Sequence, residues 1–430
     1  MFESLKEKNV FAKYEKPLWN VYQAVYFAML IFVITVRYYE TSAFNGNGFQ
    51  LPYILYQTVY FISNMILPFM VAANVACILL SLLGLATGPF VWKKSEMLCG
   101  LLCFAVMLVP YILFDYAQPY WFAVFIFCAH NVDFRKIVKV FVLASAVLFA
   151  IIFICGSTGV IEDVLAYRDD GTVRHAFGFH YTTWPPTHLF FLSICWAWLR
   201  QEKITYAEIA LIGGFAAFSY IGCNARTSFI SLSLLFFFLL WAKLRARKTE
   251  NLRYRMTKPL QIGCVLSYPL IALVMMLLSV FYSEQNGLLS AINRITNNRL
   301  ILGHTGFSRY GILPFGQAIE MNTEPPKEYF FLDCSYINIL LRYGLLPFLV
   351  VMFICVYACC RECEKKRYIR LGLLAIMAIK ISMEYHIMEI DHTPILLYLL
   401  AFDPDDGEGF NLRAAFPKRK KAVETPPETT

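Results

Sequence analysis

Basic residues follow a regular alternation along this chain, in which apolar stretches are separated by short polar segments. When the amino terminus, every second polar segment and the carboxyl terminus are assigned to the cytoplasm, these seven regions hold 28 of the 38 lysines and arginines. An excess of positive charge marks the cytoplasmic segments of membrane proteins. Because the alternation is never broken, it predicts a multi-pass protein of the cell membrane with both termini in the cytoplasm.

The composition agrees with a membrane protein, since 58% of the residues are hydrophobic and only 16% are charged. A soluble domain carries roughly 25% charged residues, and a helix needs about 20 mostly apolar residues to cross a bilayer. We predict an all-α bundle of twelve transmembrane helices over residues 1–402, and a polar cytoplasmic tail at 403–430. The expected spans lie near residues 18–36, 55–83, 97–114, 118–130, 137–156, 184–199, 205–221, 226–242, 260–282, 335–358, 369–385 and 393–402.

The segments assigned to the outer face and to the spans differ from the cytoplasmic ones in the type of basic residue. The cytoplasmic set contains 17 Lys and 11 Arg, whereas the remainder contains eight Arg and two Lys. A guanidinium group binds phosphate or carboxylate oxygens with two hydrogen bonds, which an ammonium group does less well. A single arginine could instead pair with an acidic residue or reach toward the interface. The set as a whole predicts binding of an anionic, phosphate-linked substrate.

Two external loops, at 157–183 and 283–334, are long, and long loops inside compact domains tend to be functional. The candidate residues on and beside these loops are basic, aromatic or acidic side chains that could bind a phosphorylated glycan. They are Arg168, Arg174, His180, Arg226, Arg299, His304, Arg309, Asp333, Tyr336 and Arg342. Asp169-Asp170-Gly171 is a turn signal that would fold the two arms of the first loop back on each other.

Asp333 is the best placed external carboxylate for a general base, although it could equally be the amino-terminal cap of the next helix. His304 is the alternative base. The chain contains no Asp-x-Asp pair, phosphate-binding glycine loop, dinucleotide motif or Ser-His-Asp spacing. We therefore expect acid–base and electrostatic chemistry, with no metal and no other cofactor. We expect membrane lipid around the bundle and no nucleic-acid partner.

Four sequence pieces resemble the O-antigen polymerase (Wzy) and O-antigen ligase family of membrane glycosyltransferases, and they occur in the family's order. These pieces are Arg168-Asp169-Asp170-Gly171 through Arg174-His175-Ala176-Phe177-Gly178-Phe179-His180; Asn224-Ala225-Arg226-Thr227; Asn298-Arg299-Leu300 with Tyr310-Gly311 and Phe315-Gly316; and Asp333-Cys334-Ser335-Tyr336 with Leu340-Leu341-Arg342-Tyr343-Gly344. The resemblance covers residues 168–345. The chain departs from the family at Tyr181-Thr182-Thr183, where Pro-Asn is common.

The resemblance implies a substrate and a reaction. The substrate would be an oligosaccharide repeat on undecaprenyl diphosphate, and the reaction would be metal-independent glycosyl transfer at the outer face. It implies that Arg168 and Arg299 hold the diphosphate, that Arg226 lies near the same anion, and that Arg174 and His180 position sugars. A flippase and a chain-length regulator are further partners that such a polymerase would use.

Two alternatives remain open at this stage. A ligase, which transfers a finished glycan to a different acceptor, would share the fold and the lipid-linked donor. A transporter usually places ionisable groups in mid-membrane and is built from inverted repeats. In this sequence the unusual residues lie in the loops and at span ends, and Lys380 is the only one expected deep in the membrane.

Overall fold

The structure is a computed structural model, and it describes residues 10–46, 50–168, 171–248, 253–322, 329–405 and 407–411. The described chain is mainly helical, with one short antiparallel hairpin. Its α-helices are α1 (Val10–Glu40), α2 (Gln50–Leu82), α3 (Lys94–Phe114), α4 (Ala117–Cys128), α5 (Phe134–Ser157), α6 (Trp184–Arg200), α7 (Tyr206–Ile221), α8 (Arg226–Ala246), α9 (Lys258–Val265), α10 (Ser267–Val280), α11 (Gly287–Ile295), α12 (Arg299–Arg309), α13 (Ser335–Asn338), α14 (Leu345–Glu364) and α15 (Tyr368–Lys380).

Six helices among the described residues are long and apolar enough to cross a membrane, namely α1, α2, α3, α5, α8 and α14. Helices α9 and α10 form a seventh span if they are counted together, although they bend by 59° at their junction. The chain is therefore a helical membrane protein. Twelve spans stay a prediction, because α4 and α7 are shorter apolar helices. The stretch expected to be the twelfth span contains the buried 3₁₀ segment Pro394–Leu399.

Segments that the pattern of lysine and arginine residues assigns to the cytoplasm lie together at one end of the bundle. The backbone N–H of Phe134 donates to the carbonyl of Phe402 at 2.8 Å, and Arg370 contacts Asp403 at 3.3 Å. Phe410 is buried against the bundle as well. Part of the stretch expected to be a polar tail therefore packs on the helices, while residues 412–430 lie outside the described residues.

The opposite end carries the two long loops. In the first, β1 (Leu165–Tyr167) pairs with β2 (Val173–His175) in an antiparallel hairpin, as the turn signal predicted. The residues of that turn, 169 and 170, lie outside the described residues. The hairpin is followed by a segment that reaches the end of α1, where the N–H of His180 donates to the carbonyl of Thr41 at 3.0 Å.

The second loop contains two short helices, α11 and α12. It then returns to the bundle at a close crossing of two backbones, where Gly316 meets Gly344. Gly344 has a φ of +103°, and a Cβ there would collide with the backbone nitrogen of Gly316. The crossing is fixed by two hydrogen bonds, from the N–H of Leu345 to Leu313 and from the N–H of Gln317 to Arg342. This closure holds the second loop over α13 and the π-helical turn Ile339–Tyr343.

Candidate functional site

An arginine from within the second loop and an aspartate from its carboxyl-terminal end meet at the surface of the bundle. Nη1 of Arg299, the first residue of α12, lies 2.9 Å from Oδ2 of Asp333, which precedes α13. Nε of Arg299 also donates to the carbonyl of Met383 at 3.1 Å. The loop, α13 and the end of α15 are thereby joined at one point.

Three asparagines build the corner that presents Arg299. Asn297 and Asn298 both adopt left-handed backbone conformations, with φ of 55° and 66°, which asparagine tolerates better than most residues. Oδ1 of the buried Asn293 accepts hydrogen bonds from the N–H groups of Leu300 and Ile301, both at 3.1 Å. Asn293 therefore caps the first turn of α12 and fixes the direction in which Arg299 leaves the helix.

Arg299 opens onto a cavity of about 340 Å³. The cavity is lined by Asn297, Asn298, Arg299, Ile301, Leu302, Thr305, Tyr329 and Phe330. Nη1 of Arg299 forms the ion pair with Asp333 and donates to the carbonyl of Asn297, while Nη2 has no hydrogen-bond partner among the described residues. The start of α12 also adds the positive end of a helix dipole to the guanidinium charge. The site can therefore accept an anion at Arg299, next to polar and aromatic side chains.

Asp333 has a carboxyl group suited to proton transfer near neutral pH. Burial raises the pKa of Asp333 to about 6, and the neighbouring Arg299 opposes this rise. A carboxylate with a pKa just below the working pH is mostly ionised, and it still accepts a proton more readily than an ordinary aspartate does. Of the two candidate bases named from the sequence, Asp333 is the one in contact with Arg299.

A second ion pair lies directly behind the first. Lys380, at the end of α15, is fully buried and pairs with the carboxylate of Glu384, four residues further along the chain. Nζ of Lys380 also donates to Oγ of Ser228 at 2.7 Å, and Oγ1 of Thr187 donates to Oε2 of Glu384 at 2.7 Å. Buried charges are retained only when they are paired and hydrogen-bonded. This pair thus ties α6, α8 and α15 together beneath Asp333.

Arg168 and Arg174 of the first loop donate hydrogen bonds to backbone carbonyls. Nη2 of Arg168 donates to the carbonyl of Asn224 at 2.8 Å, and Nε of Arg174 donates to the carbonyl of Cys223 at 3.0 Å. Both side chains therefore hold the hairpin to the turn before α8. These two contacts are therefore structural, and they differ from the ion pair that Arg299 makes with Asp333.

The other sequence-predicted residues are spread around the bundle. Arg226 is exposed at the start of α8, and His180 is half-buried beside the end of α1. Nδ1 of His304 lies 3.1 Å from the carbonyl of Ser279 on α10, so this histidine packs between helices. The hydroxyl of the fully buried Tyr336 donates to the carbonyl of Ala378 at 2.9 Å.

Two further arginines contact aromatic rings. The guanidinium of Arg342 lies 4.3 Å from the centre of the Tyr116 ring, and that of Arg309 lies 5.2 Å from the ring of Phe330. Such cation–π contacts position arginines beside apolar surface. Arg309 is on the same helix as Arg299. It contacts Phe330, which also lines the cavity, so Arg309 lies close to this site.

Sequence reasoning missed Glu384 and a group of acidic and histidine residues just after it. The available signal for Glu384 was its spacing of four residues from Lys380, which would put both on one face of the span expected at 369–385. The later residues fall between two stretches interpreted as spans, where no motif marks them. Comparisons with protein-family models, with curated proteins and with solved structures find no match to this chain.

Proposed function

We propose that the protein is a polysaccharide polymerase that joins oligosaccharide repeats carried on undecaprenyl diphosphate. The proposal includes the topology expected from the sequence, with twelve spans, both termini in the cytoplasm and the site on the outer face of the membrane. The product is a capsular or other exported polysaccharide, and a flippase and a chain-length regulator are the expected partners.

The observation that carries the proposal is the pairing of Arg299 with Asp333 at the mouth of a cavity. A glycosyl transfer from a lipid diphosphate needs a cation for the leaving group and a base for the acceptor hydroxyl. Arg299 and Asp333 supply these two groups 2.9 Å apart. The adjoining asparagines and the ring of Tyr329 offer hydrogen bonds and an aromatic face to sugars.

In the proposed reaction, a hydroxyl oxygen of the acceptor repeat attacks the anomeric carbon of the donor glycan. The bond from that carbon to the diphosphate oxygen breaks, and undecaprenyl diphosphate leaves with the electron pair. Arg299 stabilises the charge that develops on the diphosphate, because preorganised donors act most strongly where charge appears in the transition state. Asp333 accepts the proton of the acceptor hydroxyl.

The ion pair couples these two roles. The charge of Arg299 lowers the pKa of Asp333, while burial raises it. When Arg299 turns toward a bound diphosphate, Asp333 loses part of this stabilisation and becomes a stronger base. Binding of the donor thereby prepares the carboxylate for proton transfer.

The test is the size distribution of lipid-linked and released glycans in cells that express the wild-type protein, Arg299→Ala, Arg294→Ala or no protein. Arg294 is the matched control, since it is an exposed arginine on the preceding helix α11. We expect loss of the protein and Arg299→Ala to reduce a ladder of chain lengths to single repeats. Arg294→Ala should keep the ladder at equal protein level.

Other outcomes would point to the alternative functions. Full-length chains that remain on the lipid carrier when the protein is lost would indicate a ligase. Single repeats trapped on the cytoplasmic side would indicate a transporter. A normal ladder with Arg299→Ala would refute the assigned role of this arginine.

A further inference from the structure

Three histidines and two carboxylates, from α6 and from the segment after α15, meet inside the bundle. This group, called here the histidine cluster, consists of His188, His386, Glu389, Asp391 and His392. Each of the five side chains is buried, with at most 6% of its residue surface exposed. His188 is contributed by α6, whereas the other four lie within seven residues of one another. The cluster shares no residue with the Arg299–Asp333 site and does not depend on the proposed function.

The potential ligand atoms in the cluster are close together. Nδ1 of His392 lies 3.3 Å from Oε2 of Glu389 and 3.1 Å from Oδ2 of Asp391. Nδ1 of His386 lies 2.6 Å from the same Oε2 of Glu389. Ligand atoms of His386, Glu389 and His392 all fall within 4.8 Å of one another, and so do those of His188, Asp391 and His392. His392 thus belongs to two overlapping triads.

Several polar atoms of the cluster lack hydrogen-bond partners among the described residues. Both ring nitrogens of His188 and Nε2 of His392 have none, whereas Nδ1 of His392 and Oδ2 of Asp391 contact each other at 3.1 Å and Oδ1 of Asp391 lies 3.6 Å from Nε of Arg37. Buried polar atoms in proteins are almost always hydrogen-bonded, and exceptions call for an explanation such as a bound ion or water. Three such nitrogen atoms on two buried imidazole rings indicate that the cluster is built to hold an ion or a water molecule.

The charges around the cluster favour a cation. Arg37 on α1 lies 2.8 Å from Glu40, 3.3 Å from Glu389 and 3.6 Å from Asp391. One guanidinium therefore faces three carboxylates, so the carboxylates outnumber this arginine by two. Uncompensated charge is costly to bury. One divalent cation would balance these charges.

The side chains suit a transition metal. Imidazole and carboxylate ligands together favour Zn²⁺, Fe²⁺ or Mn²⁺, and no thiol belongs to the set. Ligand bonds of 2.0–2.1 Å in a tetrahedral zinc site separate the ligand atoms by about 3.3 Å. The distances from His392 to the two carboxylates agree with this value. The rings of His386 and His392 stack 4.2 Å apart at 12°, so one of them must turn to point a nitrogen at the same ion.

A route to the cluster is also present. A cavity of about 150 Å³ lies between α1, α2, α4 and residues 388–391. Arg37, Glu40, Glu389 and Asp391 are among its lining residues. Carboxylates along a path attract cations from solution, and a metal site needs such access.

We propose that the histidine cluster binds one divalent transition-metal ion, with Zn²⁺ as the preferred ion. His386, Glu389 and His392 are its principal ligands, and His188 and Asp391 complete the site. The ion joins α6 to the segment after α15, and so fixes the chain just beyond Glu384. This proposal departs from the sequence-based expectation of no metal, which considered only local ligand spacings.

The first test is the metal content of the full-length protein, purified in detergent through a tag without histidines. Elemental analysis should find about one equivalent of zinc or a similar metal per chain. A chelator should remove it and lower the thermal unfolding temperature, and Zn²⁺ should restore that temperature. If the wild-type protein carries no metal, and Zn²⁺, Fe²⁺ and Mn²⁺ all leave its unfolding temperature unchanged, the proposal is wrong.

Variants identify the ligands. His392→Ala and Glu389→Gln should reduce the metal content to background. The control is His130→Ala, since His130 is another buried histidine that stacks on an aromatic ring and contacts a glutamate, Glu96, at 3.2 Å. It should keep the metal. Equal metal loss in the control variant and in the ligand variants would overturn the assignment of these residues as ligands. The chelation experiment uses the wild-type protein, so its result does not depend on whether a variant folds.

Discussion

The buried ion pair of Lys380 and Glu384 allows the effect of a substitution on the free energy of unfolding to be predicted. Lys380→Met removes the cation and its hydrogen bond to Ser228, while Glu384 stays buried with only the neutral hydroxyls of Thr187 and Ser228 as side-chain donors. Removing one partner from a buried ion pair costs about 3–5 kcal/mol, because it leaves an uncompensated charge. We therefore expect the free energy of unfolding to fall by about that amount. The double variant Lys380→Met/Glu384→Gln should recover a large part of the loss.

The assay is the unfolding of the purified protein in mixed micelles of mild detergent and increasing SDS. The control pair is Lys365 and Glu408, whose side chains are 3.0 Å apart and 26% and 45% exposed. An exposed pair contributes about 0–1 kcal/mol, so Lys365→Met should have a small effect. If Lys380→Met destabilises no more than Lys365→Met does, or if the double variant is as unstable as the sum of the single ones, the reasoning about this pair is refuted.

Three further predictions concern the site and its support. Glycosyl transfer should fall as the pH drops through about 6, where Asp333 becomes protonated. Asp333→Asn should lower the rate about 10²–10⁴-fold and abolish this pH dependence. An unchanged pH–rate profile in the variant would exclude Asp333 as the base. Asn293→Ala should destabilise the start of α12 by about 1–3 kcal/mol and reduce transfer, as measured by unfolding and by glycan ladders; full activity and stability would show that the cap is dispensable. Gly344→Ala should impair folding because the added Cβ collides with Gly316. Gly311→Ala is the control, since a Cβ there meets open space, and it should unfold like the wild type. Equal unfolding curves for the two variants would contradict the close crossing.

The structure gives the two ion pairs of the site distinct physical roles. Arg299 and Asp333 are partly accessible, so their contact can be exchanged for a contact with a ligand. Lys380 and Glu384 are enclosed by three helices, so their contact is fixed. The carbonyl of Met383 links them, because it accepts from Nε of Arg299 and directly precedes Glu384. A rigid pair thus supports an exchangeable one.

Local sequence patterns were sufficient for the class of protein, and they named residues that form the candidate site. Apolar length predicted membrane helices, since the thickness of a bilayer sets the length of an apolar helix. The turn at Asp169-Asp170-Gly171 predicted the β1–β2 hairpin, and loop length directed attention to residues 283–334. The sequence also named both members of the Arg299–Asp333 pair. Their direct contact was not predicted, because 34 residues separate them and no local pattern encodes that closure.

The sequence by itself determined that this chain is a helical membrane protein, because apolar length and the placement of basic residues are local properties that the bilayer selects directly. Only the tertiary structure decided which charged groups meet. In the folded protein, Arg168 and Arg174 hold a turn, Glu384 pairs with Lys380, and His188 lies beside His392, about two hundred residues further along the chain. Those partnerships depend on how helices pack and on the need of every buried charge for a partner, and neither can be obtained from spacing along the chain.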